Sequence, residues 1–571
     1  MLKKVDRPRE LKWHQAAALL YGDWGTSKAY VLGIAFALAG HASWFFLGLM
    51  SLLTAMIGIC YMVICRISPD GGGVYSSVRS RSKSLAVLGA LLLIADYVIT
   101  ASLSALDAFH YFHFAHPELW AIGAIILIGI LNWVGPSHSG DVAKVIGLAA
   151  SGSVIALFFF TIPSLPHVTL TMPQGNWMAN WAVFVGIVLA LSGVEAVANM
   201  TGIMVEPVEK TTKKAVWPVL IEVSVITFLL GLAMNAIPGL QGHAEDMLRV
   251  LGDHYVGVWF GHVISIVFGF LLLSAVNTSI TSFVGILFLM AKDKEMPESF
   301  SRLNRFGMPW LALIVATAVP CFVLFFEHDL VRLAALYAIG VIGAITLNLG
   351  ASATNFGIAL KRRERALLMT GSVILFFIEL TIAYQKHQAL IFAVSIVSIG
   401  LLLRFAAKKL APERIELLVP SLEVLTVAEA KEITALYRSS SLVAIRNLNH
   451  HLLSEAALRV KAMGETSVYI NYVEEAPVSV DLMEAEPSKE SLELLGQAVH
   501  EMEKKGINAI PVWQMGDSAG KLISNAAKEL GVDTVMIGVS RRSGLIRLLR
   551  GDVFRALARH LPQECHLAII G

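Results

Sequence analysis

Charge is scarce along this chain. Only 15% of its 571 residues are Asp, Glu, Lys or Arg, and the mean hydropathy is +0.66, values that exclude an ordinary soluble protein and place most of the chain in lipid. Cysteine is scarcer still. Cys60, Cys65, Cys321 and Cys565 follow no regular spacing, which excludes a disulfide framework or a zinc site and leaves four small apolar residues. No G-x-x-x-x-G-K-[ST] loop occurs, so a gradient rather than ATP hydrolysis is the expected energy source, and nothing points to an enzyme. The formal net charge of +2 is too small to indicate a nucleic-acid partner. The first apolar run leads to no convincing cleavage site of the A-x-A kind and is expected to be retained.

What is abundant is apolar length. Windows of about 18 to 28 residues, each able to cross a hydrocarbon core as a helix, recur to about residue 408. About twelve are expected, and an even count puts both ends on one side. Basic residues cluster in alternate loops: Lys3, Lys4, Arg7, Arg9 and Lys12 before the first span, Arg66, Arg79, Arg81 and Lys83 after the second, Lys210, Lys213 and Lys214 after the sixth, and Lys292, Lys294, Arg302 and Arg305 after the eighth. This sorting assigns both ends to the cytoplasm of a multi-pass protein whose solvent is the bilayer of a cell membrane.

Past residue 410 the pattern changes. SLVAIRN, TSVYINYV, NAIPVWQ, DTVMIG and CHLAII read as five strands, separated by four amphipathic helical stretches. Such alternation predicts a doubly wound parallel sheet. The expected organisation is a membrane domain over 1–410, a linker with some structure of its own over 411–440, and an α/β cytoplasmic domain over 441–571.

Three spans contain acids, although a charge near the bilayer centre costs roughly 2.5 to 3.5 kcal/mol on insertion scales. They are Asp23 in YGDWGTSKAY, Asp96 in LLLIADYVIT and Glu195 in LALSGVEAVANM. Hydroxyls accompany each: Thr26, Ser27 and Tyr30; Tyr97 and Thr100; Ser192. Carboxylate and hydroxyl oxygens together suit a hard cation. Gly22, Gly25 and Gly193 weaken the first and sixth helices, and interrupted spans open backbone groups toward a midplane site in secondary transporters. Against three acids stands one intramembrane base, Lys28. It can pair with Asp23 or Asp96, act as an internal cation, or point elsewhere, since on an unbroken helix it lies about 140° from Asp23. Asp107, eleven residues beyond Asp96 and nearly on the same helix face, reads either as a mark of the route outward or, the favoured reading with His110 close by, as a wet helix end; the histidines of HYFHFAH read as solvated residues rather than as a metal site.

YGDWGTSKAY closely resembles the first-span signature of the potassium uptake permeases, the KUP/HAK/KT family, approximately Y-G-D-x-G-T-S-P-L-Y. Asp96-Tyr97 and the Ser192/Glu195 pair are similar to that family's third-span and sixth-span motifs. The GGGVYSSV loop, VNTSITSF with MAKDKEMP, and ALYAIGVIGA fit it and the wider amino acid, polyamine and organocation superfamily, over about the first 400 residues. The resemblance implies a LeuT-like inverted repeat of five plus five spans with two terminal spans, and potassium import coupled to protons by alternating access. It also implies that Asp23, Tyr30, Asp96, Tyr97, Ser192 and Glu195 bind the cation or relay the proton. Lys28 departs from the signature, which has proline there. A proton-coupled amino-acid or amine permease of the superfamily is the alternative, and a substrate-sensing transceptor a further one.

DTVMIGVSRRSGLIRLLRGDVF resembles the nucleotide loop of universal stress proteins, G-x-x-G, nine residues, then G-S or G-T. Gly538 and Gly551 occupy its outer positions, Arg541 replaces the middle glycine, and Asp552 replaces the hydroxyl residue. Arg446 also stands where nucleotide-binding members have aspartate. A fold that no longer binds ATP is therefore one expectation. Arg541, Arg542, Arg547 and Arg550 support the other, a regulatory nucleotide such as ATP, AMP or cyclic di-AMP. No cofactor is required, and the domain is expected to regulate transport or to join two copies as a homodimer.

Overall fold

A computed structural model describes residues 3–4, 9, 11–71, 73–79, 81–134, 139–168, 170–237, 239–304, 306–410, 424–433, 439–475, 484–485, 487–516, 518–539 and 553–570. Nine helices among the described residues are long and apolar enough to cross a membrane, ten if the bent pair Trp177–Gly186 and Val188–Ile203 counts as one span. One of them, Trp13–Ile67, runs for 55 residues, which would be about 80 Å if straight. It is a hairpin instead. A guanidinium nitrogen of Arg9, just before it, donates to the carbonyl of Pro69, just after it, at 3.1 Å, so its two ends meet. The chain reverses at Gly40, whose φ of 54° suits a residue without Cβ. With this run counted as two passes, the bent pair as one span and the shorter apolar helix Trp310–Phe326 added, the described residues supply the twelve expected.

The burial pattern orders these spans. The third, Lys83–Tyr111, starts at Ser82, whose side chain accepts from the Leu85 amide at 3.3 Å. It is buried along almost its whole length and packs against the eighth (Val258–Lys292) and the tenth (Leu330–Thr354). The eleventh (Arg362–Gln385) and the twelfth (His387–Leu410) expose Phe376, Phe377, Leu380, Ile391, Leu402 and Phe405. Such an apolar belt belongs against lipid. The protein is a multi-pass membrane protein.

The C-terminal unit is a five-stranded sheet ordered Asn508–Gly516, Ser467–Glu475, Ser441–Ile445, Thr534–Gly538, His566–Ile570, with every pair parallel. Its central strand is buried at every position, as a parallel sheet covered on both faces requires. All five strands read from the sequence are present. The linker is less independent than expected: Leu425 bridges Val512 in parallel, and the short helix Val427–Ile433 packs on the helix Ala519–Leu530. Residues 424–433 therefore extend the α/β unit.

Polar contacts between the halves include two among the described residues. Lys3–Lys4 pairs antiparallel with Glu484–Ala485. Lys292, the last residue of the eighth span, reaches Glu474 of the sheet, Nζ to Oε1 3.2 Å.

Candidate functional site

Two helix breaks cross at the centre of the membrane half. The first span stops at Trp24 and resumes at Ser27. Its loosened carbonyls are taken up locally: the Thr26 hydroxyl donates to the Asp23 carbonyl, and the Ser27 hydroxyl to the Trp24 carbonyl at 2.8 Å. The sixth span passes through a 3₁₀ turn at Val188–Leu191, then leaves helical geometry at Ser192 (ψ 137°) and Gly193 (φ 86°). Gly193 is needed twice over. Its φ suits glycine, and a Cβ there would lie 2.6 Å from the Trp24 nitrogen and 2.8 Å from the Asp23 carbonyl carbon. One break rests directly on the other.

The tenth span closes in from the side. A Cβ on Gly340 would lie 2.7 Å from the backbone nitrogen of Asp96, and the Tyr337 hydroxyl donates to Ser192 Oγ. Between these elements lies a small cavity lined by Asp23, Asp96, Tyr97, Thr100, Ser192 and Glu195, with Thr278, Ser279 and Ser282 from the eighth span. The Thr100 hydroxyl donates to Asp96 Oδ1 at 3.2 Å, and Asn199 Nδ2 to the Tyr97 hydroxyl at 3.3 Å. Glu195 Oε2 is buried without a hydrogen-bond partner among the described residues.

Among the described residues no basic side chain lines this cavity. Three carboxylates in a buried site need a compensating cation or protons, since low dielectric magnifies their repulsion. The surrounding donor set is all oxygen, the preference of hard cations rather than of soft metals. Five of the six residues grouped from the sequence line the cavity. The sixth, Tyr30, is buried beyond the break, within interaction range of Ser192 and Thr26. Sequence reading did not single out Tyr337, Thr278, Ser279 or Ser282 as site residues. The hydroxyls of VNTSITSF at positions i, i+1 and i+4 in an apolar helix were the available signal; a lone tyrosine gives none.

Lys28 lies elsewhere. Its ammonium is fully buried against Glu222 of the seventh span, 2.7 Å from Oε2 and 2.9 Å from Oε1, with the Tyr21 hydroxyl at 3.2 Å. Neither Asp23 nor Asp96 is its partner, because Glu222 sits at a π-helical turn, Glu222–Ile226, that faces this side of the first span. Asp107 is corrected as well: it is 0% exposed rather than a wet helix end. His110 pairs with Glu245 at 2.9 Å and His116 with Glu118 at 3.3 Å.

In the C-terminal unit Gly538 ends the strand beside the central one, 3.4 Å from Asn449 Nδ2 when a Cβ is added. This is the switch point of the sheet, where doubly wound folds place ligands. Arg541 and Gly551 lie outside the described residues, as do Arg542, Arg547, Arg550 and Asp552.

Comparison with known proteins follows the same division. The potassium transporter KimA of Bacillus subtilis (strain 168) is 26% identical over 371 residues, 58% of this chain and 60% of that protein. A probable potassium transport system protein Kup of Burkholderia pseudomallei (strain 668) is 26% identical over 249 residues, 36% and 39% of the two chains. The polyamine transporter RMV1 of Arabidopsis thaliana is 22% identical over 209 residues, 34% and 42%. The chain thus spans at most 60% of the length of these three relatives. Among solved structures, a universal stress protein from Archaeoglobus fulgidus is 20% identical, with a TM-score of 0.18 over 23% of this chain and 97% of that one. The amino acid permease family model matches residues 11–407 and the universal stress protein model residues 442–568; the chain belongs to the amino acid permease family and carries a C-terminal universal stress protein domain.

Proposed function

We propose that this protein imports potassium across the cell membrane, driven by a proton gradient, by alternating access around the crossing of the first and sixth spans. One observation carries the reading: three carboxylates and a set of hydroxyls converge on a small cavity whose described lining holds no base. The cavity has room for little more than about one water-sized species, which favours an ion over a polyamine. One named relative is a potassium transporter and another a probable potassium transport system protein. Asp23, Asp96, Tyr97, Ser192 and Glu195 hold the cation or exchange the proton, with Tyr30 and Tyr337 behind them. The basic residues of the alternate loops support a cytoplasmic position for the stress-protein domain and both termini. That domain regulates transport or joins two copies, and ATP, AMP or cyclic di-AMP are the ligands to try at its switch point beside Gly538.

The test is rubidium-tracer uptake into potassium-import-deficient bacteria expressing the chain, with and without a protonophore. Saturable uptake, blocked by potassium and collapsed by the protonophore, is the expected result; Asp23→Asn and Glu195→Gln should each abolish it while leaving inserted protein. Uptake blocked by amino acids or amines but not by potassium would move the assignment to the permease alternative. No rubidium uptake by inserted protein would overturn the reading.

A further inference from the structure

The third span carries a second acid beyond the cavity. Asp96 and Asp107 are eleven residues apart, about 16 Å along a helix and about 20° around it. Thr100 and Ser104 fall between them on the same face, and all four side chains are buried. A stripe of oxygen-bearing side chains therefore leaves the cavity toward the end of the span remote from the stress-protein domain, for Lys292 at the opposite end of the bundle touches that domain.

Asp107 and Asp96 are satisfied differently. Asp96 accepts from Thr100, whereas neither carboxylate oxygen of Asp107 has a hydrogen-bond partner among the described residues. The titratable groups facing Asp107 are Tyr30 from the first span, Tyr111 from its own helix, and Glu245 and Asp246 from the segment after the seventh span. His110 and His243 lie on those two acids, at 2.9 and 3.0 Å. No base among these groups is aimed at Asp107. A bare carboxylate here would pay its full desolvation and face like charges besides, so the surroundings tolerate the neutral acid.

A definite segment covers it. The Ala244 carbonyl sits so near Gly33 of the first span that a Cβ there would approach to 2.1 Å. The helix Met247–Tyr255 turns Met247, Leu248 and Leu251 inward and packs along Ser27–Ala39. Beneath it the Tyr111 hydroxyl donates to the Ala29 carbonyl at 2.9 Å.

We propose that Asp107 is the outer proton acceptor of the transport cycle, loaded when residues 239–255 close over the first span. The inference rests on the proton-coupled reading above and names its entry point. In the open state the carboxylate is wet and ionised. On closure an O–H bond forms at Asp107 with a proton from hydronium in the outer solution, leaving water. That bond breaks as residues 239–255 lift and water returns to Asp107, the proton passing along the Ser104 and Thr100 stripe to the Asp96 carboxylate and leaving Asp107 ionised in the wet, open state.

The experiment uses the full chain in liposomes, with rubidium influx and internal acidification recorded together for wild type, Asp107→Asn and Asp107→Glu. Wild type should acidify the lumen in step with rubidium entry. Asp107→Asn should retain rubidium-for-potassium exchange while losing tenfold or more of its proton-driven accumulation, and Asp107→Glu should recover most of that loss. Asp107→Asn with the wild-type ratio of protons to rubidium overturns the proposal, and so does a folded variant that has lost exchange as well. Failure of Asp107→Asn to fold also overturns it, because a neutral amide should replace a neutral acid of the same shape. Wild-type rubidium entry without protons would instead sink the coupling on which the proposal depends, and no entry at all the cation reading itself.

Discussion

Lys28 and Glu222 form a buried ion pair that holds the first span to the seventh. Side-chain exposure is 0% for the lysine and 8% for the glutamate, so water does little to screen or replace the interaction. Relative to two apolar residues such a pair is close to neutral, but deleting one partner strands a charge and costs about 3–5 kcal/mol. Lys28→Met and Glu222→Gln alone are thus each expected to lower the thermal stability of the purified protein sharply, and Lys28→Met/Glu222→Gln together to recover most of it. Melting curves of the four proteins check this; additive losses would show that the two residues do not act as a pair. The sequence could flag Lys28 as a departure but not name its partner, which is 194 positions away and chosen by tertiary packing. The three cavity acids were easier to find, because a charge in an apolar span is costly enough to require a reason on its own.

The helix breaks carry a different kind of information. Glycines at 25 and 193 mark where the first and sixth spans lose their regular geometry, and both interruptions are legible from that composition. That the two breaks touch is not, since contact depends on how the spans cross. The contact predicts a contrast between neighbouring glycines. Gly193→Ala forces a side chain into a φ of 86° and against the backbone of Asp23 and Trp24, a conformation that costs roughly 1–2 kcal/mol before any clash. Rubidium uptake by this variant should fall at least tenfold at normal membrane levels. Gly22→Ala adds its Cβ where nothing lies within 4 Å, and it should transport within about twofold of wild type, helped by alanine's advantage of about 1 kcal/mol in a helix. Equal uptake in the two variants would refute the close crossing. Tyr337 and Gly340 show the same limit: the tenth span reads as an apolar helix, and its approach to Ser192 and Asp96 emerges only on packing.

The two halves of the molecule are joined through a carboxylate that is itself part of the α/β core. The sheet was readable in advance because parallel strands buried on both faces are short, apolar and separated by amphipathic helices. Its attachment was not, because Lys292 and Glu474 look like ordinary surface charges in their own segments. In the fold Glu474 accepts from Ser491 Oγ at 2.7 Å, Trp513 Nε1 at 3.2 Å and the Ser488 amide at 3.3 Å, and pairs with Lys292. Burial pushes its carboxyl up, but the Lys292 charge and the hydrogen bonds from Ser491 and Ser488 outweigh that effect and hold it below its ordinary value of 4.5. A depressed carboxyl stabilises the folded state above the ordinary value and loses that contribution as pH falls through the depressed one. Attachment of the domain should therefore be complete at pH 7 and weaken only below about 4.5. Hydrogen–deuterium exchange in the strand Ser467–Glu475, corrected for intrinsic rates, should show protection lost in that acid window. Glu474→Gln should abolish this pH dependence, and Lys292→Met should reduce it while leaving the other three hydrogen bonds and the domain fold intact. Protection in wild type that stays constant down to pH 3 would remove Glu474 as the joint. The eighth span gives the joint its reach, since the helix that ends at Lys292 also presents Thr278, Ser279 and Ser282 to the cavity, only about 15–21 Å away along the same rigid rod.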